Sequence, residues 1–169
     1  MLRALFPGSF DPPTNGHLNI LERASQIFDA IDVVVAVNPN KSYTFDAEER
    51  ERMMQRMVSA FQNVEVHIWD QLIVKFAERV GARVMIRGVR ALADFAYEFE
   101  LSMINKGLNA QVETFFIPTD SKYFVLRSTS IKELARLGGD ISTMVPTYVA
   151  DALRERLGPE ARKKANQDY

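Results

Sequence analysis

Apolar residues in this chain occur in two alternating textures. Short continuous runs cover Leu2–Phe6, Ile31–Val37, Val64–Ile68, Arg83–Arg87 and Glu113–Ile117. In Val33-Val34-Val35-Ala36-Val37 and Val84-Met85-Ile86 no polar residue interrupts the run, as in strands buried on both faces. Between the runs, apolar residues recur at three- and four-residue spacing. Gly16–Phe28 puts Ile20, Leu21, Ala24, Ile27 and Phe28 on one helical stripe. Asp46–Phe61 opens with the capping pair Asp46 and Glu49 and carries Met53, Met54, Met57, Val58 and Phe61. Leu72–Val80 and Leu92–Leu108 are further helical segments, and another ends near Leu157. The alternation predicts a single-domain α/β fold over residues 1–157: a doubly wound, five-stranded parallel sheet with right-handed crossovers and C-terminal helices. Gly158–Tyr169 is polar and reads as a frayed tail.

In such sheets ligands bind beyond the carboxyl ends of the strands, where the strand order reverses. The segments placed there are Pro7–His17, Asn38–Lys41, Asp70–Ile73, Arg87–Arg90 and Pro118–Ser130. Leu92–Leu108 carries more apolar surface than a sheet-covering helix needs. Leu92, Phe95, Phe99 and Met103 form one stripe, Tyr97, Leu101, Ile104 and Leu108 another, and Asp94, Glu98 and Asn105 a polar face. The second stripe predicts burial against another helix or subunit.

Composition narrows the function classes. The 169 residues are 47% apolar and 25% charged, with a net charge of −1, so a general nucleic-acid binder is not expected. The absence of cysteine excludes disulfides, thiolate nucleophiles and zinc–thiolate sites. No apolar run reaches membrane-spanning length, and no secretory leader is recognisable, so a cytoplasmic protein is expected. Phosphate-loop and dinucleotide glycine fingerprints are missing, and no paired-carboxylate metal cluster stands out.

The first strand runs into Pro7-Gly8-Ser9-Phe10-Asp11-Pro12-Pro13-Thr14-Asn15-Gly16-His17 and then a helix. The exposed N–H groups and positive dipole end of such a helix start suit an anion. Gly8 and Gly16 permit close backbone approach, and His17 adds a titratable, proton-bearing donor. The alternative for His17 is a merely solvated side chain. His67, alternating with the valines of its strand, reads as structural or surface. Arg87 ends a buried strand, where a guanidinium is costly without an anion; Gly88 opens the backbone, and Arg90 follows. This pair either recognises phosphate or makes salt bridges to Asp94 or Glu98. Lys41 lies on the loop after the second strand. The hydroxyls of Ser128, Thr129 and Ser130 either cap a helix or hold phosphate.

Thr14-Asn15-Gly16-His17 matches the Thr/His-x-Gly-His signature of the nucleotidyltransferase superfamily. Arg87-Gly88-Val89-Arg90-Ala91-Leu92-Ala93-Asp94-Phe95-Ala96-Tyr97-Glu98 resembles the Arg-Gly-Leu-Arg-x3-Asp-Phe-x-Tyr-Glu signature of bacterial phosphopantetheine adenylyltransferases. Together the resemblance spans roughly residues 3–155. It implies the Rossmann-like nucleotidyltransferase fold and transfer of AMP from ATP to 4′-phosphopantetheine, a step of coenzyme A biosynthesis that releases pyrophosphate. It implies His17, Lys41 and Arg90 as catalytic, and Ser9, Lys41, Ile73 and Arg87 as the phosphopantetheine site. The implied ATP site is Ser9, Phe10, His17, Gly88, Val89, Arg90 and Glu98, with Tyr123, Phe124, Val125, Leu126, Arg127, Ser128 and Thr129. It further implies Mg2+ with ATP, a hexamer, and inhibition by coenzyme A, with no protein metal ligand identified. The chain departs from the superfamily's second motif, Ile-Ser-Ser-Thr-x-Ile-Arg. Leu126, Arg127 and Lys132 replace its isoleucine, first serine and arginine. Ser9 stands where the family usually has threonine. The alternatives are a sibling enzyme acting on nicotinamide mononucleotide or glycerol 3-phosphate, and a catalytically silent nucleotide-binding module.

Overall fold

The apolar runs become five parallel strands, β1 (Arg3–Gly8), β2 (Ala30–Ala36), β3 (Val64–Trp69), β4 (Val84–Val89) and β5 (Glu113–Pro118). The computed structural model describes residues 1–123 and 127–161, with the backbone alone at Ala93. Between and after the strands come α1 (Asn15–Ala24), α2 (Ala47–Met57), α3 (Ile73–Val80), α4 (Leu92–Leu108), α5 (Ser128–Arg136) and α6 (Thr147–Leu157). The sheet order is β3-β2-β1-β4-β5, as expected of a doubly wound α/β sheet. The chain builds outward from β1 to β3, then crosses to the other side of β1. The order therefore reverses between β1 and β4.

Strand alternation sorts the core into two layers. Ala4, Phe6, Val33, Val35, Val84 and Ile86 face Ile20, Leu21 and Ala24 of α1 and Met54 and Met57 of α2. Leu5, Val34 and Met85 face the other way, onto Phe76 and Ala77 of α3. A third cluster joins α5 and α6 through Ile131, Ala135, Val149 and Leu153, with Phe45 and Ile141 packed in. The expected cap of α2 is present in both directions: Glu49 N–H donates to Asp46 Oδ1 at 2.7 Å, and Asp46 N–H to Glu49 Oε2 at 2.9 Å. The Arg156 guanidinium of α6 grips the same Glu49 carboxylate at 2.6 and 2.8 Å. Gly158 is buried, and residues 159–161 continue as helix, so packed chain reaches beyond Leu157. The rest of the expected tail, from 162, lies outside the described residues.

β1 runs two residues further than its apolar pattern, through Pro7 and Gly8, because both continue the ladder with Val34 and Val35 of β2. On its other side the ladder is short. Only Ala4 and Leu5 pair with β4, opposite Val84 and Met85. Pro7 has no N–H to offer β4. The carboxyl halves of β1 and β4 consequently bracket a crevice at the point where strand order reverses.

α4 differs from its sequence expectation in which face turns inward. Asp94 and Glu98 of the polar face are part-buried and paired with arginines, Asn105 Nδ2 lies 3.6 Å from Met85 Sδ on the sheet, and Leu101, Ser102 and Lys106 are part-buried as well. Both apolar stripes are largely outside. Leu92, Tyr97, Phe99, Met103, Ile104 and Leu108 are all exposed, and Phe95 reaches the sheet through an edge contact with Phe116. The helix is anchored by ion pairs over the crevice, which leaves its greasy surface outward.

Asp32, 1% exposed on β2, receives the Arg3 guanidinium at 2.6 and 2.7 Å and His67 Nε2 at 2.9 Å. Glu65 approaches the same imidazole at 3.7 Å. These three potential metal-ligand side chains, Asp32, Glu65 and His67, come together only across two strands, which is why spacing did not reveal them. Arg3 already saturates Asp32 here. Burial alone would raise the Asp32 pKa, but the hydrogen bonds and charges of Arg3 and His67 outweigh it and hold it down to about 2. A depressed carboxylate stabilises the fold above its unfolded pKa of about 3.9, and that contribution fades as pH falls towards 2. Arg3→Met, which leaves the Asp32 charge buried without its main partner, is expected to cost ~3 kcal/mol at pH 7. In urea melts the gap from the parent should narrow at pH 3; a gap that widens there would contradict this account.

Candidate active site

Backbone strain in the β1–α1 turn is concentrated at Phe10. Phe10 holds φ at 48°, a left-handed conformation costly for an aromatic residue, and is buried. Its ring stands edge-on to Phe6 at 5.6 Å and to His17 at 5.0 Å. Gly8 is needed beneath it, since a Cβ there would lie 2.8 Å from the Phe10 ring.

Thr14 then caps α1 with His17 as its partner three residues on. Thr14 Oγ1 accepts from His17 N–H at 3.4 Å, and Thr14 N–H donates to His17 Nδ1 at 3.0 Å. Because Nδ1 is the acceptor of a backbone N–H, the neutral ring carries its proton on Nε2. Burial, reinforced by Arg90 and Arg87, pushes the His17 pKa down to about 4. At neutral pH His17 is thus an uncharged imidazole in one tautomer, with Nε2–H as its remaining donor.

Two buried side chains brace this turn. Asp11 accepts from the N–H groups of Thr44 and Phe45 at 3.0–3.1 Å and from Lys132 Nζ of α5 at 2.7 Å. Arg50, 1% exposed on α2, has no carboxylate partner among its bonds. It donates to the carbonyls of Ser9, Ala36, Phe45 and Asp46, at 2.7–3.2 Å, and packs over the Tyr43 ring at 4.0 Å. Four carbonyl dipoles substitute for an anion and tie the β1 and β2 loops to α2.

Across the crevice, Arg87 fills the gap that Pro7 leaves. Its NH1 donates to Pro7 O at 2.7 Å, while Nε and NH2 form a fork on Glu98 at 2.6 and 2.7 Å. Arg90 Nε reaches Asp94 at 3.0 Å. Of the two alternatives read from the sequence, the structure shows the salt bridges. The arginines are paired with Glu98 and Asp94 and also line one cavity of about 420 Å3, within the usual range for small-molecule sites. Gly88 faces α1, where a Cβ would come within 2.2 Å of Ile20 Cδ1.

Of the expected site residues, Ser9, Phe10, His17, Lys41, Arg87, Gly88, Arg90, Glu98, Arg127, Ser128 and Thr129 line that cavity. Val89, Ile73 and Tyr123 do not. Val89 ends β4 and gives its carbonyl to Thr119 N–H. Ile73 opens α3 beyond β3, two strands from the crevice, and packs on the Phe76 cluster. Tyr123 packs against the α5–α6 cluster. Phe124, Val125 and Leu126 lie outside the described residues. The cavity adds Asp11, Thr14, Ser42, Tyr43, Asp94, Thr119 and Lys132, to which no candidate role had been given. Thr14 lay within the quoted motif, and Lys132 within the second. Thr119 has a buried hydroxyl without a hydrogen-bond partner, a feature no spacing signals.

The cavity's charge is dominated by cations: Lys41, Arg87, Arg90, Arg127 and Lys132 against Asp11, Asp94 and Glu98. Each of those carboxylates is engaged by a lysine or arginine. This excess of positive charge suits an anionic ligand. Engaged in this way, these carboxylates offer no ready site for a metal ion.

The wider comparisons agree with this geometry. The family described as cytidylyltransferase-like matches residues 5–134. A phosphopantetheine adenylyltransferase of Heliobacterium modesticaldum is 44% identical over 165 residues, 98% of each chain. One from Staphylococcus carnosus is 46% identical over 156 residues, 92% of this chain and 97% of its own. A solved structure from Vibrio parahaemolyticus, described as a nicotinate-nucleotide adenylyltransferase, superposes with a TM-score of 0.68 over 94% of this chain and 99% of that one; at 21% identity it is a likeness of fold. With its reversal-point cavity, its Thr14–His17 cap and its end-to-end match to these relatives, the chain belongs to the phosphopantetheine adenylyltransferase family of cytidylyltransferase-like proteins.

Proposed function

We propose that this chain transfers AMP from ATP to 4′-phosphopantetheine, giving dephospho-coenzyme A and pyrophosphate. The observation that carries the reading is the match to phosphopantetheine adenylyltransferases over 98% of both chains, which takes in every wall of the cavity rather than one motif.

The residues account for the chemistry without a general base. A phosphate monoester, with a second pKa of about 6, is already largely a dianion at neutral pH and is its own nucleophile. The barrier lies in bringing two anions together and in the charge that builds at the α-phosphate. Lys41, Arg87 and the Ser9 hydroxyl hold the acceptor phosphate. Arg90, the α1 N-terminus and His17 Nε2–H meet the α-phosphate. A neutral imidazole is suited to this task because its proton position is preset and it donates without competing for a proton. Gly88 and Glu98 shape the nucleotide side. Mg2+, entering with ATP, supplies charge screening on the β- and γ-phosphates. Coenzyme A contains the acceptor's own phosphopantetheine arm, so it competes for the same cavity. A cytoplasmic setting belongs to the same proposal. The exposed apolar stripes of α4 are covered by other copies of the chain in a hexamer.

Pyrophosphate release from ATP should depend strictly on added 4′-phosphopantetheine; release supported instead by nicotinamide mononucleotide or glycerol 3-phosphate would replace the acceptor. His17→Ala should lower kcat by at least ~10²-fold while ATP affinity is largely kept, as for loss of one transition-state donor. In nitrogen NMR the His17 ring should remain the neutral Nε2–H form from pH 8 down to about 5, since a pKa of about 4 leaves it unprotonated above that. A ring titrating near 6.5 would remove the preset donor. Light scattering should give a mass several times 19.2 kDa, and Phe99→Glu with Ile104→Glu should shift it to monomer.

A further inference from the structure

Arg127 stands where the superfamily's second motif has a serine, immediately before the first residue of α5. Its side chain is 52% exposed and lines the cavity. Its NH2 donates to Asp94 Oδ1 at 3.1 Å, while Arg90 Nε takes the other oxygen, Asp94 Oδ2, at 3.0 Å. One carboxylate of α4 thus aligns two guanidinium groups from opposite walls. Two neighbouring groups of the α5 start are already engaged elsewhere. Ser128 Oγ donates to Pro12 O at 3.0 Å, and Lys132 Nζ to Asp11 at 2.7 Å. Both tie α5 to the β1–α1 turn rather than presenting their donors to a ligand. Arg127 contacts Asp94 through one terminal nitrogen, and a guanidinium carries five N–H donors in a planar fork that matches phosphate oxygens. Its half-exposed ion pair is weak in water and yields readily to a multiply charged anion.

We propose that Arg127 is the leaving-group grip of this enzyme: aligned by Asp94 beside Arg90, its guanidinium binds the β- and γ-phosphates of the nucleotide and then the departing pyrophosphate. The role rests on the adenylyl-transfer reading and adds no covalent step to it. The acceptor oxygen bonds to the α-phosphorus, the bond from that phosphorus to the β-phosphate bridging oxygen breaks, and Arg127 neutralises charge on the group that leaves. A charge-bearing fork replaces a hydroxyl, so this chain should bind pyrophosphate more tightly through this position than a serine allows.

The test uses the full-length enzyme, with pyrophosphate and AMP binding measured separately by calorimetry and initial rates taken in both substrates. Arg127→Ser is expected to weaken pyrophosphate about tenfold or more and to raise KM for ATP similarly. AMP affinity and KM for phosphopantetheine should stay within about twofold. Arg127→Lys, which keeps the charge and loses the fork, should recover part of the loss and guards against a folding defect. Unchanged pyrophosphate affinity in Arg127→Ser, or AMP weakened as much as pyrophosphate, overturns the assignment. The acceptor reading fails separately: an enzyme that makes no dephospho-coenzyme A, yet loses pyrophosphate on Arg127→Ser, keeps the grip and loses the acceptor.

Discussion

A proline in a central strand leaves the neighbouring strand without a donor, and the rest of this molecule is arranged around that vacancy. Pro7 pairs with β2 but cannot donate to β4, and the β1–β4 ladder ends at Leu5 and Met85. The Arg87 guanidinium enters the gap and takes the Pro7 carbonyl. A charge so placed needs an anion of its own, and Glu98 of α4 supplies it. The strand order happens to reverse at the same place, so the break in the ladder and the natural ligand crevice of the fold coincide.

The same economy explains α4. Its polar face is committed to Glu98–Arg87 and Asp94–Arg90, both over the crevice, and most of its apolar residues stay exposed, while Phe95 touches Phe116 of the sheet. Exposed apolar stripes of this extent mark a surface suited to an interaction partner. In the proposed hexamer one element serves both ends: the helix that balances the charge of the cavity also carries the apolar surface that other copies would cover.

Around the crevice the loops are held by buried hydrogen bonds rather than by packing alone. Asp11 collects the β2–α2 loop and α5, and Arg50 collects Ser9 and the end of β2. Phe10, in a left-handed conformation, presses its edge on the His17 ring. The imidazole is consequently fixed in position by an aromatic contact and in protonation by a backbone N–H. Such preorganisation is what a reaction without a protein nucleophile needs, since its barrier is one of alignment and charge.

Fold class, strand number and the location of the site were legible in the sequence because they depend on local periodicity and on where turns fall. The run Val33–Val37 reads as a strand buried on two faces, and β2 covers it through Ala36; Thr14–His17 reads as the start of a helix, and Thr14 caps α1. The motif residues His17, Arg87 and Arg90 were legible for the same reason, as was the capping pair Asp46 and Glu49. What the linear chain left open were relations between residues far apart in it. Whether Arg87 meets a ligand or Glu98, whether α4 turns its polar or apolar face inward, and that Asp32 gathers Arg3 and His67 depend on three-dimensional neighbours. So do the uncharged state of His17, set by burial and by Arg90 and Arg87 at the end of β4, and the placing of Ile73 away from the cavity. Short-range order follows from the chemistry of adjacent residues; electrostatics and facing follow from which distant ones the sheet brings within a few ångströms, and only the tertiary structure decides that.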